Sequence, residues 1–339
     1  MRKVTRLEDV GEFGFIRRIA RPFLRRLPAS LKGIGDDCAV IELSASSALV
    51  VTTDMLVEGT HFIRDKIAPS RLGRKSLAVS LSDIAAMGGR PCWAFISLAL
   101  TPGTSLEYMQ AFYSGLRRLA QTHGVRLLGG DTTRSRSNMT VDVMVIGLAH
   151  PRRVKLRSGA RAGDIVAVTD CLGDSEAGLR IILEGLPRDR DGRRLVFRHL
   201  SPVPQLAEGS WLAGRREVTA MMDVSDGLAS DIMRIMESSA CGADIDLESL
   251  PVSDALRRYS FRRGWDAKQT AASGGEDYCL LLTAEAGAFG ALRNAFERKF
   301  GRPLYAVGRI TAAKKGLRFL RGGRPARLEK GGYDHFRAR

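Results

Sequence analysis

The sequence predicts a mixed α/β chain built from two successive units. Three observations carry that expectation. Short alternating apolar segments are interleaved with stretches of helical periodicity. The length, 339 residues, is more than twice the ~150 residues of an ordinary domain. Finally, a basic segment at 150–162, containing Pro151 and Gly159, ends one α and β series before a second begins.

In the first unit, taken as residues 1–150, segments 38–43 and 48–53 read as neighbouring strands joined by a Ser-Ala-Ser-Ser turn. Over 70–87, Leu77, Leu81, Ile84 and Ala85 recur at helical spacing, with Ser70 placed as N-cap and Gly88-Gly89 as the stop. A strand follows over 93–100. Next comes a helix over 105–122, with Leu106, Met109, Phe112, Leu116 and Leu119 on its apolar face, and then strands over 125–128 and 139–148.

The second unit, 151–339, resumes with a strand at 164–168, a helix at 175–184, a basic polar stretch around 188–194 and a helix at 204–212. Strands at 218–222 and 243–247 bracket a helix at 228–238. A strand at 278–282, a helix at 284–300, a strand at 304–310 and a basic tail complete the chain.

Composition narrows the function classes. Hydrophobic residues make up 44% and charged residues 27%, which excludes a disordered chain or a coiled coil. No apolar run approaches the ~20 residues of a membrane span. Glu8, Asp9 and Glu12 interrupt the Arg-rich start, so it does not read as a transit peptide, and a cytoplasmic protein with no membrane partner is expected. The five cysteines are scattered and never form C-x-x-C, which indicates neither a disulfide framework nor a zinc site.

The 53 Lys and Arg against 37 Asp and Glu give +16, a balance that invites a nucleic-acid reading. Aromatic residues are only 6%, however, and the basic residues are spread along the chain without an interleaved stacking platform. No nucleic-acid partner is expected, and the charge reads as a solvated surface that steers anionic ligands.

The acids of this basic chain carry the chemistry. Asp36-Asp37, Asp54, Asp83, Asp131 and Asp226 each fall at or near the end of an apolar segment, beside Gly, Ser or Thr. Singly these are turn and cap residues. Together they supply the oxygen ligands a hard cation such as Mg²⁺ requires, shared with substrate phosphates, and converging acids could hold several ions. A Walker A loop, a complete dinucleotide fingerprint and a G-x-S-x-G elbow are all lacking, so a nucleotide would be held mainly through metal.

A series of motifs resembles the thiamine-monophosphate kinase family, in that family's order. They are Gly33-Ile-Gly-Asp-Asp-Cys-Ala-Val40, Thr52-Thr-Asp54, Gly59-Thr-His-Phe62, Leu81-Ser-Asp-Ile-Ala-Ala-Met-Gly88, Gly129-Gly-Asp-Thr-Thr133, Asp223-Val-Ser-Asp-Gly-Leu228, Ser273-Gly-Gly-Glu-Asp-Tyr278 and Gly332-Tyr-Asp-His-Phe336. The resemblance implies a PurM-like architecture, an N-terminal α/β domain that binds ATP and Mg²⁺ and pairs with its copy in a homodimer, and a C-terminal domain whose tail contacts substrate. It also implies the reaction: ATP and thiamine monophosphate give thiamine diphosphate and ADP, the last step of thiamine diphosphate biosynthesis.

On the family pattern Asp37, Thr52, Thr53, Asp54, Asp83, Asp131, Asp223 and Asp226 match the Mg²⁺ positions. Gly130, Asp131, Arg157 and Ser225 match ATP contacts, with Tyr113 near a further one, and His61, Glu276 and Tyr333 match the thiamine phosphate side. Asp54 and Asp131 are taken as the essential acids. The acceptor phosphate is already ionised at neutral pH, so no general base is assigned and direct in-line transfer is expected.

The sequence departs from the pattern at Gln205, where an arginine is usual, and in the Thr169-Asp-Cys-Leu-Gly turn. Aminoimidazole ribonucleotide synthetase and selenophosphate synthetase, of the same superfamily, are the rival readings. The Ser273-Gly-Gly-Glu276 and Gly332–Phe336 motifs weigh against both, and the lack of a reactive cysteine near the N-terminus weighs against selenophosphate synthesis.

Overall fold

The computed structural model describes residues 6–329 together with Tyr333 and Phe336. A helix, α1 (Leu7–Leu24), precedes a six-stranded sheet formed by β1 (Leu31–Lys32), β2 (Ala39–Ser44), β3 (Ser47–Val57), β4 (Arg90–Leu100), β5 (Arg126–Arg134) and β6 (Thr140–Ala149). The strand order is β1-β2-β3-β6-β4-β5. Neighbours are antiparallel except β4 and β5, whose parallel pairing requires a crossover; α3 (Leu106–Thr122) supplies it.

Along β6 burial alternates, placing Val141, Val143 and Val145 on the inner face. There they meet Leu77, Leu81 and Ile84 of α2 (Pro69–Ala86) and Phe112 and Leu116 of α3. These two helices approach so closely that a Cβ on Gly73 would lie 2.0 Å from the Phe112 carbonyl oxygen, and one on Gly115 1.7 Å from that of Ser70.

The second sheet has seven strands: β7 (Ile165–Val168), β8 (Val218–Asp223), β9 (Cys241–Asp246), β10 (Leu280–Ala284), β11 (Tyr305–Ala312), β12 (Leu317–Arg321) and β13 (Arg324–Ala326). Their order is β13-β12-β9-β11-β7-β10-β8. The helices of this half are α4 (Asp174–Leu183), α5 (Arg190–Leu200), α6 (Leu206–Ala213), α7 (Leu228–Ser239), α8 (Asp254–Arg263), α9 (Ala267–Ser273) and α10 (Ala286–Phe300).

Ile232, Ile235 and Ala271 of α7 and α9 pack on one face of this sheet. Phe289, Leu292 and Phe296 of α10 pack on the other, where Ala85 and Ala86 of α2 join them. Helix α2 thus belongs to the cores of both sheets, and two mixed sheets packed with helices make the α/β architecture that the sequence predicts.

Several local expectations are corrected. Ala68, not Ser70, caps α2, because Pro69 takes the first helical position, where its fixed φ and missing N–H cost nothing. The basic stretch at 188–194 is in large part helix: Asp189 accepts from Gly192 N at 2.8 Å and starts α5. Helices α1, α8 and α9 and strands β1, β12 and β13 carry no signal in the sequence pattern. The strand at 48–53, whose edge the sequence offers for pairing with a second copy, is interior as β3, flanked by β2 and β6, whereas β5 is an edge, exposed along all nine residues.

The two departures from the family pattern touch each other. Thr169 Oγ1 donates to Gln205 Oε1 at 2.5 Å.

Candidate active site

Three carboxylates from separate elements meet where α2 crosses between the sheets. Asp37 lies in the loop before β2, Asp83 in the last turn of α2, and Asp223 is the last residue of β8. Each offers an oxygen within 4.8 Å of the others. Asp54 stands beside them, within β3 rather than at its end, and its charge raises the pKa of Asp83.

Burial is the largest influence on all four acids. Like charge adds to it at Asp54, Asp83 and Asp223: Asp54 is pushed up to about 6, Asp223 to about 8, and Asp83 well above the carboxylate range. At Asp37 burial also wins, against the opposing Arg157 guanidinium. Buried acids crowded in this way must hold either protons or a cation.

The hydrogen bonds around these acids are directed. Thr52 Oγ1 donates to Asp83 Oδ2 at 2.5 Å and Ser82 Oγ to Asp223 Oδ2 at 2.6 Å. Arg157 binds the loop at 33–38 twice, its Nη2 donating to Asp37 Oδ1 at 2.5 Å and its backbone N to Asp36 Oδ1 at 2.6 Å. Its guanidinium is largely buried, and although burial works against the charge, Asp37 more than restores it. Two buried oxygens, Asp37 Oδ2 and Asp54 Oδ2, accept no hydrogen bond. An all-oxygen donor set with orphaned, buried carboxylate oxygens fits a hard divalent cation.

Beyond β8 the chain turns through Ser225, Asp226 and Gly227 into α7. Asp231, buried in the first turn of that helix, accepts from Ser225 N and Gly227 N at 3.1 Å each and fixes the turn. Two other segments bond to it. Glu276 N donates to Ser225 O at 2.7 Å and Tyr278 N to Val224 O at 2.8 Å, while Tyr333 N donates to Asp226 O at 3.1 Å. Of the Gly332–Phe336 motif, Gly332, Asp334 and His335 lie outside the described residues.

Glu276 has a backbone φ of +61°, a left-handed conformation uncommon for this residue type. Its carboxylate meets Lys75 Nζ at 2.9 Å and His199 Nδ1 at 3.1 Å. Burial would raise its pKa, yet these two partners hold it far below the ordinary range.

The remaining candidates lie outside the acid group. Asp131 and Gly130 are on the exposed edge β5, where Asp131 Oδ1 accepts from Thr132 N at 2.8 Å. Gly130 has φ +154° and no room for a side chain, since a Cβ would sit 1.7 Å from Ile96 O of β4. Thr53 Oγ1 donates to Asp142 Oδ1 at 2.8 Å. His61 Nδ1 accepts from Val57 N at 3.0 Å. Tyr113 packs edge-on to Phe112 against the core of the first sheet.

Sequence reasoning missed Lys75, Ser82, His199 and Asp231. Lys75 left a trace, as a charge among apolar residues of a buried helix. Ser82 adjoins Asp83, and Asp231 sits where the first turn of a helix favours an acid.

The fold and acid cluster define the class, an AIR-synthase-related chain of PurM-like architecture. Residues 35–149 match the N-terminal domain model of AIR synthase related proteins, and residues 161–319 match the C-terminal one. Thiamine-monophosphate kinase of Escherichia coli (strain K12) is 42% identical over 96% of this chain and 98% of its own length. That of Bacillus subtilis (strain 168) is 34% identical over 90% and 93%.

Among solved structures, thiamine-monophosphate kinase from Stenotrophomonas maltophilia K279a is 36% identical, covers 93% of this chain and 98% of its own, and has a TM-score of 0.75. A structure of AaThiL complexed with AMPPCP and TMP superposes with a TM-score of 0.84 at 32% identity, covering 98% and 99%. The chain belongs to the thiamine-monophosphate kinase family. It is therefore an ATP-binding phosphotransferase.

Proposed function

We propose that this chain transfers the γ-phosphoryl group of ATP directly to the phosphate of thiamine monophosphate, giving thiamine diphosphate and ADP. The observation that carries the reading is the meeting of Asp37, Asp83 and Asp223, oxygens within 4.8 Å, with Asp54 at their side and two buried carboxylate oxygens unpartnered. In the family frame these acids, with Thr52, Thr53, Asp131 and Asp226, hold Mg²⁺. Metal bound there supplies neutralisation of the two anionic phosphates and their alignment for in-line displacement.

The chain's own residues set the stage for that transfer. Ser82 and Thr52 orient the carboxylates by donating to them, leaving other oxygen lone pairs for a cation. Arg157 places a fixed positive charge beside Asp37, suited to phosphate oxygens. Ser225, Gly130 and Tyr113 are assigned to the nucleotide, and His61, Glu276 and Tyr333 to thiamine monophosphate. Glu276, held as a carboxylate, suits the cationic and amine-bearing end of that molecule rather than its phosphate. No residue is required as general base, because the attacking phosphate oxygen is ionised at neutral pH.

The reading divides the chain at residue 150: the first unit carries the dimer contacts and most of the ATP and metal residues, and the second adds Arg157, Asp223, Ser225 and Asp226 together with the acceptor-contacting tail. A cytoplasmic homodimer is part of it. The exposed edge β5, with Leu127 and Leu128 outward, supports pairing with a second copy, and among the described residues no helix is long and apolar enough to cross a membrane. The test is purified protein with ATP, Mg²⁺ and thiamine monophosphate, scored for thiamine diphosphate; ATP consumed without that product refutes the assignment.

A further inference from the structure

Lys75 is an ammonium fully buried within α2, 0% exposed, in a helix whose Leu72, Leu77 and Leu81 make the core. Its Nζ donates to Glu276 Oε2 at 2.9 Å. The same oxygen lies 3.1 Å from His199 Nδ1 of α5, which in turn is 3.0 Å from Ser175 Oγ in the first turn of α4. Burying a charge is costly unless it is paired, and a buried pair is often replaceable by apolar groups of similar volume without loss of stability. Packing therefore does not explain this lysine.

What does distinguish it is its helix. Lys75 and Asp83 are eight residues apart on α2, ~12 Å of axial rise. Ser82, next to Asp83, donates to Asp223. One rigid element thus holds the metal-side acids at one end and Glu276 at the other. Glu276 is fixed through its backbone as well, by the bond from its N to Ser225 O and by its left-handed φ.

We infer that Lys75, with His199, is a positioning residue that sets the Glu276 carboxylate at a fixed distance from the acid cluster, and so places the acceptor's phosphate for transfer. Lys75 acts through Glu276. The inference rests on the reading of Glu276 as an acceptor contact.

The experiment measures calorimetric binding of thiamine monophosphate in the presence of Mg²⁺ and a non-hydrolysable ATP analogue, with KM and kcat for both substrates. The variants are Lys75→Met, Glu276→Gln and the double substitution. Each single change is expected to weaken thiamine monophosphate binding about tenfold, with the KM for ATP changed less than about twofold. The double variant is expected to bind no more weakly than the weaker single one.

Unchanged binding in Lys75→Met beside weakened binding in Glu276→Gln overturns the positioning role and leaves the acceptor contact standing. Unchanged binding in Glu276→Gln overturns the contact itself. Losses that add in the double variant, or that fall equally on ATP, mark a merely structural pair and also overturn the inference. Should Lys75→Met fail to fold, His199→Asn, which keeps a donor near the Nδ1 position, is compared with His199→Ala. Affinity kept in the first and reduced about tenfold in the second is the expected result, and equal affinity in the two is the refuting one.

Discussion

Ser82 Oγ donates to Asp223 Oδ2 at 2.6 Å, joining α2 to the end of β8 across 141 residues of sequence. The bond opposes the burial and like charge that push the Asp223 carboxyl upward. Ser82→Ala removes the donor and little volume from a buried position. A hydrogen bond to a charged group contributes roughly 1.5 kcal/mol or more, so the Mg²⁺ concentration for half-maximal activity should rise about tenfold. A magnesium titration of activity, beside a circular dichroism spectrum of the folded variant, checks it; an unchanged midpoint would show that Ser82 does not orient a ligand.

Asp54 and Asp131 separate two roles that the sequence assigned together. Asp54 lies at the buried cluster, whereas Asp131 is exposed on β5. Both Asp54→Asn and Asp131→Asn should reduce turnover at least about a hundredfold, because an amide is a poor ligand for a hard dication. Only Asp54→Asn should also raise the melting temperature of the metal-free protein, by relieving repulsion among Asp37, Asp83 and itself. Thermal melts in chelator read that difference, and equal melts for the two variants would count against it.

The raised acids make metal-free stability depend on pH in a defined direction. With folded pKa values of about 6 for Asp54 and about 8 for Asp223 against 3.8 for the ordinary group, the folded state binds more protons than the unfolded one between pH 4 and 8. Stability therefore falls as pH rises through that window. In chelator the melting temperature should drop from pH 5 to pH 8, and added Mg²⁺ should raise it more at pH 8 than at pH 5. A flat profile, or stabilisation by Mg²⁺ greatest at pH 5, would mean the cluster is not the metal site.

What the sequence disclosed follows the range of the forces involved. The apolar spacing of Leu77, Leu81 and Ile84 marks α2 because helical periodicity is local. Its start was misplaced by two residues, since Pro69 competes with Ser70 for the helix entrance. Helix α5 was hidden in a charge-rich stretch whose acid only tertiary structure pairs: Asp191 near its start accepts from Arg258 and Arg262 of α8. The acids of the site were legible from their Gly, Ser and Thr neighbours. Lys75 and His199 were not identified, because Glu276 is 201 and 77 residues away from them, and no local pattern records such a pairing.

Tyr333 brings the C-terminal segment to the site, its N donating to Asp226 O at 3.1 Å. Three residues on, the Phe336 ring meets Phe15 of α1 edge-on, with centroids 6.4 Å apart. Anchoring and recognition can thus belong to different rings. A thiazolium cation over a tyrosine face contributes about 0.5 to 2 kcal/mol, so Tyr333→Ala should raise the KM for thiamine monophosphate several-fold and leave that for ATP nearly unchanged. Tyr333→Phe should keep most activity, since the proposed contact is made by the ring rather than the hydroxyl. Phe336→Ala should instead lower the melting temperature, because it removes an aromatic pair at the chain end. Steady-state kinetics with each substrate varied, together with melts of all three variants, distinguish the roles. A Tyr333→Ala variant that loses stability and weakens both substrates equally would make Tyr333 an anchor as well.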